Sequence, residues 1–158
     1  MAVLRPATEA DREFLLELYA STREPELARV DWDDALKRAF VEQQFAAQDE
    51  HYRSHYPGAS LDVIELDGRR AGRLYVYRGE EDIRIMDIAV APEFRGRGIG
   101  SALIEELIAE ARSSGRSVSI HVEMQNPARA LYERLGFVPV GEHGVYVLME
   151  WSQPNTAS

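Results

Sequence analysis

Six residues in the middle of the chain, Arg95-Gly96-Arg97-Gly98-Ile99-Gly100, have the composition of an anion cradle. They follow an apolar run, Ile83 to Ala91, ended by Pro92, and they precede a helical pattern. A helix N-terminus leaves backbone N–H groups unpaired and carries the positive end of the helix dipole. Glycines let that backbone come close to a bulky anion. The side chains of Arg95 and Arg97 can add charge near phosphate oxygens. The chemistry on offer is the holding of a phosphate or pyrophosphate. A nucleoside triphosphate would need Lys-Ser or Lys-Thr after the last glycine. Ser101-Ala102 follows Gly100 instead, so that ligand is disfavoured. A dinucleotide would need GxGxxG, and the run is one residue short, with Ser101 where the last glycine belongs. Glu123, at the end of the next strand, does fall near the acidic position of that fingerprint. Too few residues follow to complete two mononucleotide halves. Taken alone, the loop could also be no more than a tight strand-to-helix turn.

A second segment changes the balance. Ile88-Ala89-Val90-Ala91-Pro92-Glu93-Phe94-Arg95-Gly96-Arg97-Gly98-Ile99-Gly100 resembles the central motif of the GCN5-related N-acetyltransferases (GNAT). That motif reads Gln/Arg-x-x-Gly-x-Gly/Ala after an apolar strand and a Pro-containing turn. Arg95, Gly98 and Gly100 stand at its fixed positions. Downstream, Asn126-Pro127-Ala128-Arg129-Ala130-Leu131-Tyr132-Glu133-Arg134-Leu135-Gly136-Phe137 resembles the family's second motif. The resemblance covers about Ile83 to Phe137, and upstream only the order of elements agrees.

The resemblance implies acetyl-CoA as co-substrate, with no metal. Backbone N–H groups of Arg95, Gly96, Arg97, Gly98, Ile99, Gly100 and Ser101 would hold the coenzyme pyrophosphate. The backbone of Ile88, Ala89 and Val90 would pair with the pantetheine arm, and one of its N–H groups would polarise the thioester carbonyl as a small oxyanion hole. Acetyl-CoA would lie in the gap between the strand ending near Ala91 and the strand from Val118 to Glu123. Tyr132 would be the general acid that protonates the departing thiolate; its plain structural reading is a core tyrosine with a bonded hydroxyl. Asn126 would contact the pantetheine, although capping the short helix explains it equally well. Many relatives have one more residue between this Asn and the Tyr.

An amine attacks only when neutral, so a base or a water chain must take its proton. Some relatives use a Glu that Met86 replaces here. Asp87 is the nearest carboxylate, and Glu123, which shares a strand face with His121, is second. Strand alternation puts Ile85, Asp87 and Ala89 on one face and Met86, Ile88 and Val90 on the other. The acceptor is expected to be a small-molecule or peptide amine. Tyr19, Trp32, Gln44, Asp49, His51, Tyr52 and Tyr56 are candidates for its pocket. The rival of another class is a non-catalytic acyl-CoA sensor, which would keep the loop; Tyr132 argues for the enzyme.

These residues need a frame. The chain has 158 residues, enough for one sizeable core. With 18 basic and 27 acidic residues its net charge is −9, which disfavours nucleic acid as a partner. There is no cysteine, hence no disulfide framework and no thiolate nucleophile. The first residues, MAVLRPATEAD, show no signal-peptide pattern, and no apolar run is long enough to span a bilayer. A cytoplasmic location without membrane attachment is expected; the oligomeric state is open, a homodimer being one option because relatives often pair through late strands.

Periodicity supplies the elements. Val3 to Arg5 reads as a strand. Thr8 caps a helix of roughly Ala10 to Ser21, with Asp11 completing a capping box. Ser21 to Asp31, containing Pro25, reads as a loop. Asp33 caps a second helix that runs towards Tyr52 and stops at Pro57-Gly58. Leu61–Leu66 and Arg70–Arg78 form a hairpin around Asp67-Gly68, and Ile83–Ala91 is the next strand. A helix from Ile99 ends at Gly115. Val118 to Val122 is a strand and Pro127 to Leu135 a short helix. Phe137–Val140 and Val145–Trp151 make a closing hairpin around Gly141–Gly144. The fold expected is mixed α/β (α+β), with a mostly antiparallel sheet of about seven strands and about four helices. Residues 1–151 are expected to be a single acyl-CoA-binding domain, and 152–158 a polar, disordered tail.

Overall fold

The computed structural model describes residues 1–153. Among them are seven strands in one sheet, ordered β1-β2-β3-β4-β5-β7-β6, and four α-helices. The strands are β1 (Ala2–Pro6), β2 (Ser60–Leu66), β3 (Arg69–Arg78), β4 (Asp82–Val90), β5 (Ser117–Glu123), β6 (Val138–His143) and β7 (Tyr146–Trp151). The helices are α1 (Arg12–Leu27), α2 (Asp34–His55), α3 (Ile99–Ser114) and α4 (Arg129–Arg134). The expected fold class is the one found. No helix among the described residues is long and apolar enough to cross a membrane. The chain divides into two compact units, Met1–Tyr75 with Ile88–Arg97, and Val76–Asp87 with the chain from Gly98 onward. The tail expectation falls mostly on 154–158, which lie outside the described residues.

In the first unit β1 pairs antiparallel with β2, from Ala2↔Leu66 to Pro6↔Asp62. The Thr8 backbone N–H donates to Asp11 Oδ2 at 2.8 Å, the Asp11 half of the expected capping box. Asp11 is 1% exposed and also accepts from Arg5 and Arg70. These donors, Arg5 first, hold its carboxyl well below the usual carboxylate range. Helix α1 does not stop at Ser21 but continues through Pro25 to Leu27. The proline removes one donor near the helix end, where one lost bond is tolerated. Leu27 completes the apolar stripe by packing on the core of Leu15, Leu16, Tyr19, Val41, Phe45 and Val63. Burial of such side chains is worth about 1.5–3 kcal/mol each, enough to override the proline. Asp33 caps α2 by accepting from the Leu36 N–H at 2.8 Å. The β2–β3 turn places Asp67 at φ 52° and Gly68 at φ 78°, the two positive values that Asp-Gly hairpins supply.

In the second unit β4 and β5 run parallel, from Asp82↔Ser117 to Ile85↔Ile120. Antiparallel pairing of β5 with β7 sets Val118, Ile120 and Val122 opposite Trp151, Met149 and Val147, all six buried. Helix α3 lies against β5 and buries Ile99, Leu103, Ile104, Leu107, Ile108 and Ala111. It ends at Gly115, φ 70°, as its sequence predicts. The last hairpin differs from expectation. Strand β6 runs on through Gly141 to His143, with an irregularity between Pro139 and Gly141, and the turn shrinks to Gly144-Val145. The bulge absorbs one residue and restores register with β7.

Candidate active site

The glycine loop leaves β4 through a single turn of 3-10 helix, Pro92–Phe94, in which the proline takes the first position. Gly96 and Gly98 adopt φ of 79° and 76°, left-handed values that side chains resist. A Cβ at either would meet no atom within 4 Å, so the backbone angle, not crowding, selects glycine there. Gly98 is the N-cap of α3, and the first helical bond runs from the Ala102 N–H to the Gly98 carbonyl at 3.0 Å. The N–H groups of Ile99, Gly100 and Ser101 precede that bond and have no intrahelical acceptor. The Ile99 side chain is buried in the core, so only its backbone can serve a ligand.

The arginines of this stretch are fixed differently. Arg95 Nε donates to the Val90 carbonyl at 2.9 Å, which ties the loop back to the end of β4. Arg97 Nη2 reaches the Glu93 carbonyl at 3.4 Å, and its guanidinium stands 5.2 Å from the centre of the Phe94 ring. Arg69, at the start of β3, stands 4.7 Å from the centre of the same ring.

Sequence reasoning missed Gly72. It lies inside β3, where glycine weakens a strand unless another backbone needs the space. A Cβ on it would collide with the Ala89 carbonyl oxygen and touch the Val90 Cα at 3.0 Å. Next to it, Ala91 N–H donates to the Ala71 carbonyl at 2.7 Å. Gly72 therefore shapes the backbone path of Ile88–Val90, the stretch singled out for the pantetheine. The signal available was an interior glycine in an otherwise regular strand.

In the second unit, Tyr132 is buried on α4, with Phe137 packed edge-on at 5.7 Å. Among the described residues its hydroxyl makes no hydrogen bond. Burial, and then the charge of Asp87, push its ionisation up to about 12, so the phenol keeps its proton across the ordinary pH range. Asp87 follows Ile83 and Ile85 on the β4 face that packs with Ile120. Glu123 lies on the opposite face of the sheet, with Ser119 and His121. Of the two candidate bases, Asp87 is the one whose charge acts on Tyr132.

His121 has its own surroundings. Arg84 Nη1 lies 3.4 Å from its Nδ1, and a guanidinium can only donate. Nδ1 is thus the acceptor, and the proton of the neutral ring sits on Nε2. Desolvation, then the charges of Arg84 and His143, lower its proton affinity. Asn126 is engaged locally, its Oδ1 accepting from the Ala128 N–H at 2.9 Å, as a helix-opening turn requires. Of the acceptor-pocket candidates, Tyr19 is buried in the core and its hydroxyl accepts from Arg23 Nε at 3.1 Å. The polar stripe of α2 faces β3: Arg73 Nη2 donates to Gln48 Oε1 at 2.7 Å, and Tyr52 meets Tyr75 edge-on.

Known proteins place this geometry. The model of the acetyltransferase (GNAT) family matches residues 15–137. The N-alpha-acetyltransferase RimI of Mycobacterium tuberculosis is 34% identical over 110 residues, 69% of this chain and 65% of its own. A candidate [ribosomal protein bS18]-alanine N-acetyltransferase of Bacillus subtilis is 34% identical over 87 residues, 54% of this chain and 58% of its own. The chain thus spans less than two thirds of the length of either relative. The crystal structure of PaiA N-acetyltransferase from Thermoplasma acidophilum, in complex with coenzyme A, superposes with a TM-score of 0.71. It is 15% identical over 97% of this chain and 99% of that one, a likeness of fold.

Proposed function

Because the chain belongs to the acetyltransferase (GNAT) family, we propose that it moves an acetyl group from acetyl-CoA to an amine by direct attack. Residues 1–151 would serve as one acyl-CoA-binding domain. The observation that carries the reading is the loop before α3. It has two left-handed glycines, open N–H groups at the helix start, and clear space where a side chain would stand. That is a cradle for a diphosphate.

The chemistry follows from the groups available. The neutral amine attacks the thioester carbon, and a backbone N–H of Ile88–Val90 would stabilise the charge that develops on oxygen. The tetrahedral intermediate collapses, the C–S bond breaks, and Tyr132 would give its proton to the thiolate. A phenol held protonated to about pH 12, with no acceptor for its hydroxyl among the described residues, suits that task. Asp87 would receive the amine proton, directly or through water, and then return a proton to Tyr132 so that the cycle closes. The acceptor would be a primary amine on a small molecule or a peptide.

A ligand screen tests the reading. Acetyl-CoA at about 100 times its dissociation constant should stabilise the fold by roughly 2.7 kcal/mol, a rise of several degrees in melting temperature. NADH and ATP should give no shift. A chain unmoved by saturating acetyl-CoA would not have this function.

A further inference from the structure

His51 and His55 stand four residues apart near the end of α2, so one helical turn brings them onto the same face. Both are exposed, and their rings stack with centroids 4.2 Å apart and planes 29° from parallel. The ring nitrogens are not equivalent. His55 Nδ1 lies 3.1 Å from the His51 carbonyl oxygen, which can only accept. In the neutral ring that nitrogen therefore carries the proton, and Nε2 keeps a lone pair. Ser54 Oγ donates to the same carbonyl at 3.3 Å and stands 3.1 Å from His55 Nδ1, so its own lone pair shares that proton. A ring anchored through one N–H on a backbone carbonyl, with the other nitrogen left as an acceptor, is how metal-ligating histidines are oriented. Among the described residues, the His51 ring makes no hydrogen bond. The last turn of a helix also presents unpaired carbonyls and the negative end of the dipole, which favour a cation. The other two of the four histidines are worse placed. His121 and His143 meet edge-on at 5.8 Å, but the Arg84 guanidinium lies 3.4 Å from His121 Nδ1 and would repel a cation.

We infer that His51 and His55 form a two-histidine site for a divalent transition-metal ion of the kind imidazole prefers, such as Ni²⁺, Cu²⁺ or Zn²⁺. Two imidazoles at i and i+4 on one helix face can converge on one ion. Among the described residues no group of three His, Cys, Asp or Glu could surround an ion, so the two imidazoles bind it and water completes its shell. The ion closes a ring between successive turns. It clamps the end of α2, where the Tyr56 N–H makes the closing bond to the Tyr52 carbonyl at 3.0 Å before the chain turns at Pro57-Gly58. The role is structural. It takes no part in acyl transfer and does not depend on the acetyl-CoA reading.

The test titrates the untagged full chain with Ni²⁺ by calorimetry, with Mg²⁺ as the control. One Ni²⁺ should bind per chain, and Mg²⁺, which prefers oxygen ligands, should not bind. His51→Ala and His55→Ala should each weaken Ni²⁺ about tenfold or more, because in the unmodified chain the second imidazole binds as an intramolecular event. His55→Gln, which keeps a polar side chain, should lose the ion equally. His121→Ala and His143→Ala should leave the affinity unchanged. Saturating Ni²⁺ should also slow amide exchange at Tyr56 about tenfold in the unmodified chain and leave it unchanged in His55→Gln. No binding of Ni²⁺ by the unmodified chain overturns the site. Binding that survives both His51→Ala and His55→Gln, or that His143→Ala removes, overturns it as well. Exchange at Tyr56 that saturating Ni²⁺ does not slow overturns the clamp.

Discussion

Tyr132 combines two properties that a proton donor needs, a buried ring and a hydroxyl with no hydrogen-bond partner among the described residues. Replacing it by phenylalanine keeps the packing on Phe137 and removes only the proton. Turnover should fall about a hundredfold or more, while affinity for acetyl-CoA changes little. Pre-steady-state measurement of the chemical step is the check, and an unchanged rate would remove the role. The same residue has a signature in stability. Its proton is held more tightly in the folded state than in the unfolded chain, because the folded value rises from 10.0 to about 12. The corresponding stability is complete below about pH 10 and is lost as pH rises towards about 12. Chemical denaturation across that range should show a decline of about 2–3 kcal/mol that Tyr132→Phe abolishes. The sequence ranks Asp87 ahead of Glu123 as the base, and Asp87 is the one whose charge acts on Tyr132.

At the scale of elements, β3, β4 and the loop before α3 carry the geometry. Gly98→Ala meets open space but must adopt a left-handed φ, at a cost of about 1–2 kcal/mol. Its fold should survive, with weaker binding of acetyl-CoA by titration. Gly72→Ala is different. Its φ is unremarkable, but its Cβ runs into the Ala89 carbonyl. The backbone must give way, at about 1–3 kcal/mol. Since Ala89 is placed in the pantetheine-pairing stretch, Gly72→Ala should reduce kcat/KM for acetyl-CoA beyond what its lost stability explains. Kinetics well below the melting transition would show this, and a pure stability effect would separate Gly72 from the site. Element boundaries failed where packing overruled local signals. Pro25 reads as the end of a helix, yet the burial of Leu27 carries α1 past it. Gly141 reads as a turn, yet pairing opposite Leu148 keeps it in β6.

The whole chain carries a net charge of −9. A protonated amine approaching it is attracted over roughly a Debye length, about 10 Å at 0.1 M salt. For a cationic acceptor kcat/KM should fall severalfold between about 0.02 and 0.2 M salt, through the association step. An uncharged acceptor of similar shape should show no such slope. Stopped-flow kinetics at a series of salt concentrations would distinguish the two.

The anion cradle, the capping residues Asp11 and Asp33, the Asp-Gly turn and the order of strands and helices could all be read directly from the sequence. Each depends on residues within a few positions of one another, where backbone angles and periodicity act locally. Tertiary structure alone decided the rest. The fold brought the charge of Asp87 to bear on Tyr132, and the close approach of β3 to β4 gave Gly72 its purpose. Folding also set Arg69 and Arg97 on one aromatic ring. These are meetings of distant segments. They depend on which strand lies beside which and in what register, and local residue patterns do not encode that information.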